Sequence, residues 1–155
     1  MGFSHNLKLW LSPLRINDPD FGSLVFMHVS KFPERSYWEG GWTFPKTGKV
    51  VWITLRGDES GPMPEARRFY LALPGRFEQI LISCRPKLEQ AFKNWERPQL
   101  PEDIFTVVEL SGFRLDDPTA PTIRWDVSFE TKGDNWLGIT IPFVGDAAME
   151  AVVDT

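Results

Sequence analysis

With 155 residues, 42% hydrophobic and 25% charged, the chain has the make-up of one globular domain and not of a disordered or fibrous segment. A domain of this length buries roughly 70% of the surface its unfolded chain exposes, and seven Trp and twelve Phe supply much of the apolar filling. The net charge of −4 is uneven: residues 62–97 hold seven Lys and Arg against four Glu, while residues 102–155 hold three against eleven acids, which disfavours nucleic acid and favours a basic partner.

The apolar run in residues 7–14 is broken by Lys8, Ser12 and Pro13, too early for a secretory segment. Met1-Gly2 followed by Asn6 misses the hydroxyl residue of a myristoylation pattern, and no run approaches the ~18 apolar residues of a membrane span. Cys84, the one cysteine, has no partner for an internal disulfide, which suits a reducing compartment. The expectation is a cytoplasmic chain with no membrane association, folded as a single domain over 1–155.

Strands are predicted over about 22–55. Residues 22–29 (GSLVFMHV) form an apolar run between turn-like segments, and residues 36–44 (SYWEGGWTF) alternate, with Trp38, Trp42 and Phe44 on one side and Tyr37, Glu39 and Thr43 on the other. Residues 49–55 (KVVWITL) are β-branched and aromatic on both faces, as in a central strand, which puts Trp52 in the core. Pro45 and Gly48 frame a short hairpin turn between the last two.

The segment LRGDESGPMPEARRFY (55–70) reads as the exit of a strand and the entry of a helix. Gly57 and Gly61 permit unusual backbone angles, Pro62 or Pro64 suits a first helical position, and Asp58, Glu59 and Glu65 place negative charge at the positive end of the helix dipole. Arg56-Gly57-Asp58 matches an adhesion tripeptide, but nothing in the sequence points to export. Asp58-Glu59 lacks the ligand spacing of a calcium loop.

Helices are predicted over about 62–96. Met63, Ala66, Phe69, Tyr70 and Leu73 share a face, which Pro74-Gly75 is expected to interrupt. Phe77, Leu81, Cys84, Leu88, Ala91 and Trp95 then continue one apolar stripe, with Pro86 off it and expected to kink the helix. Strands return over about 104–144. Residues 104–115 carry a bulge signal near Gly112, residues 122–131 alternate with Ile123, Trp125, Val127 and Phe129 inward, and residues 136–144 place Leu137, Ile139, Ile141 and Phe143 on one side. Residues 147–155 are compatible with strand or helix. The predicted fold is α+β: an antiparallel sheet of about six strands with the kinked helical segment 62–96 on one face.

The stretch from Trp38-Glu39-Gly40 through FPKTGKVVWITLRGDESGP (44–62) to the helix bearing Arg67 and Tyr70 resembles a group of small, poorly characterised bacterial domains. Their pattern is a W-x-G strand, a P-x-x-G-K hairpin, a G-D-E-x-G-P loop and then helices, and the likeness covers about residues 20–95. It implies an α+β fold, no catalytic residues to carry across, and for some members an immunity-type, partner-binding role. Met63 departs from the pattern, standing where a capping Ser or Thr is expected.

No catalytic, cofactor-binding or metal residue is assigned. Cys84 lies on the apolar stripe, and His5 and His28 have no neighbouring ligand at metal spacing. Asp126 and Glu130, on one strand face, lie roughly 13 Å apart, too far for a glycosidase pair, while Glu39 and Glu109 are carboxylates that strand pairing could bring closer. The first expectation is a non-enzymatic protein-binding module of the immunity-inhibitor type. Asp116, Asp117, Asp126, Glu130 and Asp134, with Trp136 beside them, would meet a basic protein. The alternatives are a small-molecule or sugar-binding domain (or weak carboxylate hydrolase) using a groove of Tyr37, Trp38, Glu39 and Trp42, and a structural or oligomerising domain.

Overall fold

The computed structural model describes residues 13–155; the readings of residues 7–12, of Met1-Gly2 and of His5 lie outside them. In chain order the elements are β1 (Arg15–Asp18), β2 (Gly22–Met27), β3 (Tyr37–Thr43), β4 (Val50–Asp58), β5 (Gly61–Pro62), α1 (Pro64–Asn94), β6 (Val108–Leu115), β7 (Arg124–Thr131), β8 (Gly138–Val144), β9 (Ala147–Ala148) and β10 (Val152–Asp154). Short 3-10 turns at Pro33–Arg35 and Ile104–Thr106 precede β3 and β6.

The sheet runs β1-β2-β3-β4-β6-β7-β8-β10, with β5 added to β4 and β9 to β8. All pairs are antiparallel except β4–β6, which run parallel through Trp52–Gly112, Ile53–Phe113 and Thr54–Arg114. The α+β class is as expected, but the antiparallel sheet of about six strands is corrected to a mixed sheet of ten. Neighbouring strands linked by a crossover helix run the same way, and α1 is that crossover. The uncounted strands β1, β5, β9 and β10 have two to four residues, too few for periodicity to show. Residues 147–155 prove to be strand, as β9 and β10.

A second correction concerns the helix. Pro74-Gly75 does not interrupt it, and α1 runs unbroken for 31 residues through Pro74 and Pro86, about 46 Å at the usual rise. Each internal proline costs about 3 kcal/mol, whereas Tyr70, Leu73, Phe77 and Ile80, on both sides of Pro74, are all buried and contribute about 1.5–3 kcal/mol each. Pro86 lies on the exposed side, where water can take the carbonyl it leaves free. Pro64 occupies the first turn and Met63 provides no side-chain cap, as the sequence predicts.

The core lies between α1 and one face of the sheet. Phe77 meets Phe44 at 4.9 Å between ring centroids, Phe69 meets Trp125 at 5.2 Å, and Tyr70 meets Trp42 at 6.3 Å, all edge-on. Trp38 and Trp125 satisfy their indole N–H groups by donating to the carbonyls of Asp58 and Gly145, each at 2.8 Å. The start of the sheet is tied to α1 by Arg67, whose guanidinium donates to Asp18 at 2.9 Å and to Asp20 at 2.6 Å. Burial alone would raise the Asp18 carboxyl, but Arg67 and the backbone N–H groups of Asp20 and Phe21 outweigh it and hold it below the usual range.

Candidate functional site

The helix covers one face of the sheet, and strand alternation sends every second side chain to the other. Cross-strand register aligns that second face into rows. One row reads Glu39, Thr54, Arg114, Asp126 and Pro142 from β3 to β8. Beyond it lie Tyr37 and Arg56, with Arg124 and Val144 on the far strands. On the other side come Gly41, Trp52, Gly112, Ser128, Thr140 and Val152, and then the carboxylates of Glu109, Glu130 and Asp154 around Gly138.

The open face is therefore graded along the strands. At one end Arg35, Arg56, Arg114 and Arg124 line a groove of about 630 Å³ together with Asp116 and Asp126. Arg56 donates to Asp116 at 2.9 Å, and Arg114 approaches Asp126 at 3.4 Å. Arg35 and Arg124 make no ion pair among the described residues; Arg35 instead stacks over the Phe32 ring at 4.6 Å. Burial pushes the Asp126 carboxyl up, partly offset by Arg114. The Thr54 hydroxyl, in the same row, is buried without a hydrogen-bond partner among the described residues.

The middle of the face has Trp52 and Val152 toward its sides and Ser128 and Thr140 between them, with hydroxyls 3.1 Å apart. Trp52 is 53% exposed, and its cross-strand neighbours on both sides, Gly41 and Gly112, carry no side chain to wall it in. Gly112 also lets the strands approach closely, since a Cβ there would lie 2.6 Å from the Trp52 carbonyl oxygen. Trp136, 46% exposed, lies over Gly138, where a Cβ would meet its ring at 2.9 Å. Both tryptophans border a second groove of about 460 Å³, which shares Thr54, Arg114 and Asp126 with the first. Val50 and Val152 are exposed on the same face. The other end is acidic, with Glu109 held by Lys49 at 3.1 Å.

The expected acidic surface is divided by this arrangement. Asp116 and Asp126 sit among the arginines, and Asp117 is occupied locally, its carboxylate accepting from the N–H and hydroxyl of Thr119, which lower its pKa. Glu130 belongs to the acidic end, and Asp134 to the exposed turn between β7 and β8 beside it. Trp136, whose place the sequence left open, is exposed. The expected groove of Tyr37, Trp38, Glu39 and Trp42 does not form. Trp38 and Trp42 are buried under α1, and Tyr37 and Glu39 point to the opposite face because they alternate with them.

Two further tryptophans are corrected: Trp52 lies on the open face and not in the core, and Trp95 is the exposed C-cap of α1, just past its last turn. Glu39 and Asp126 lie three strands apart in their row, roughly 14 Å, while Glu109 and Glu130 are direct cross-strand partners. The sequence does not show the four arginines as one group, yet Arg56 is in phase with Trp52, and Arg124 with Asp126. The acidic loops 58–59 and 116–117 leave the same end of the sheet, because β4 and β6 run parallel.

Among the described residues no three His, Cys, Asp or Glu side chains gather to hold a metal ion, and no helix is long and apolar enough to cross a membrane. No family model, curated protein or solved structure matches this chain.

Proposed function

We propose that this chain is a non-catalytic protein-binding module that engages its partner through the open face of the sheet. The observation that carries the reading is the exposure of Val50, Trp52, Trp136 and Val152 on the one face that no described element covers. Exposed apolar residues scattered singly need no explanation, but a contiguous patch rimmed by charge is the anatomy of an interaction site, and Trp and Arg are over-represented in its energetic centre. Glu109, Glu130 and Asp154, with Asp134 close by, give that patch an acidic border that would receive basic groups of the partner. The reading keeps the immunity-type class suggested by the motif resemblance, and a cytoplasmic setting fits the buried thiol.

The test is affinity capture of the tagged chain from its own host at low and high salt. A stoichiometric protein retained by the wild type, lost from the Trp52→Ala/Trp136→Ala variant and kept by Ile82→Ala on the outer side of α1 supports the reading. The same proteins recovered from all three would sink it.

A second reading, small-anion binding, is favoured by the groove at Arg35 and Arg124, whose volume lies within the range of ligand pockets. A thermal-shift series with di- and tricarboxylates and with pyrophosphate tests it, and an unchanged melting temperature throughout removes it.

A further inference from the structure

The open face is not simply charged but polar in the geometric sense. Four arginines lie at one end, with Asp116 and Asp126 among them, Trp52 and Gly112 in the middle, and Glu109, Glu130 and Asp154 at the other end, all along the same strand direction. Such a face is complementary to itself. Turning a copy by half a turn about an axis in the plane of the sheet and across its strands keeps each strand opposite its equivalent and reverses the direction along it. An axis between the Arg114–Asp126 row and the Trp52–Ser128 row brings Arg124 on β7 over Glu130 of the second copy, and sets the Trp52–Ser128 row of each copy against the Arg114–Asp126 row of the other.

We infer that the first occupant of the open face is a second copy of this chain, in an isologous two-fold dimer. The inference rests on reading this face as a protein-contact surface and names the partner that fits it. Three observations point the same way. Arg35 and Arg124 have no ion pair among the described residues, so the arginine end offers positive charge that those residues do not neutralise. The carboxylates of Glu109, Glu130 and Asp154 lie at the opposite end, where Lys49 pairs with Glu109 and Lys46 and Lys132 line the same hollow. The face from β3 to β10 measures about 29 Å by about 23 Å, so its projected area approaches the ~800 Å² per partner that a stable interface buries once side-chain relief is added.

Sedimentation velocity over a concentration series at low and high salt tests the inference with charge reversals. The wild type is expected to form a dimer that added salt weakens. Arg124→Glu or Glu130→Arg alone sets like charges against each other twice per dimer and should weaken association at least about tenfold. The double variant Arg124→Glu/Glu130→Arg, and an equal mixture of the two single variants, should restore it, whereas Arg68→Glu on the far side of α1 should change nothing. A wild type that stays monomeric at every concentration overturns the inference, and so does a dimer indifferent to both reversals or one that neither the double variant nor the mixture rescues. A monomer that still captures a partner in a Trp52-dependent manner would overturn the dimer alone and leave the binding-face reading standing. A rescued dimer with Trp52-independent capture would do the reverse.

Discussion

The hydroxyl of Tyr70 donates to the backbone carbonyl of Thr54 at 2.7 Å, reaching from the second turn of the long helix to the one parallel junction among the described strands. The Phe113 carbonyl across that junction is 3.4 Å away. Complete burial pushes the phenol well above its ordinary pKa, so it stays a donor at any pH at which the chain folds. Tyr70→Phe removes the donor and leaves a buried carbonyl short of a partner, and should cost about 1–3 kcal/mol in urea unfolding with little change in the slope.

Asp18 sets an acid limit on stability. Its folded pKa is lowered, so its contribution is fully present above the unfolded carboxylate pKa and is lost as pH falls through the folded value. Asp18→Asn should lose about 2 kcal/mol at pH 7. The gap to the wild type should then narrow below about pH 4. Melting temperatures of both proteins across that window check it, and a constant gap down to pH 2 would contradict it.

Gly112 is needed for space. Its added Cβ would lie 2.6 Å from a backbone oxygen of the adjacent strand, which cannot swing aside as a flexible side chain would. Gly112→Ala is expected to lower stability by about 1–3 kcal/mol, whereas Gly75→Ala, with nothing within 4 Å, should be neutral or stabilising.

Trp52 and Trp125 should part company under truncation. Trp125 is buried, stacks on Phe143 at 4.3 Å and donates to the Gly145 carbonyl; its replacement by Ala should cost about 3–5 kcal/mol. Trp52→Ala, on the open face, should stay within about 1 kcal/mol of the wild type in chemical denaturation. A Trp52 loss as large as that of Trp125 would mean the face is structural.

Cys84 is silent by design of the core. Burial pushes its thiol to about 12, and it lies on the sheet-facing side of α1. A chromogenic thiol reagent should titrate one equivalent in denaturant and almost none in the native protein over the same interval.

Much of the core was legible because alternation and burial coincide: Trp38 against Tyr37 on β3, and Trp125, Val127 and Phe129 against Asp126 and Ser128 on β7. Trp52 was misread for a definite reason. β4 is apolar on both faces, the usual mark of a strand covered on both, and here Val50 and Trp52 on the second face are exposed. Trp95 continues the helical stripe by spacing but falls one residue beyond α1, where the stripe no longer has a sheet beneath it. The arginine end was hidden by distance along the chain. Arg35, Arg56, Arg114 and Arg124 come from four separate segments, and the parallel pairing of β4 with β6, which no local pattern encodes, brings them together.

That pairing has a kinetic consequence. β1 to β4 and β6 to β10 are each built from neighbours in sequence, whereas Ile53 and Phe113 meet across sixty residues. Closing such a loop costs about 4 kcal/mol of chain entropy before any contact rewards it, so the two ladders can form early while their union waits for the helix. Stopped-flow refolding of Tyr70→Phe reads that step directly, by slowing if the helix clasps the seam on the way to the native state. On this view the protein is two quick-forming half-sheets whose joining sets the pace of folding, and the open face, which spans the seam, exists only once that slowest event is over.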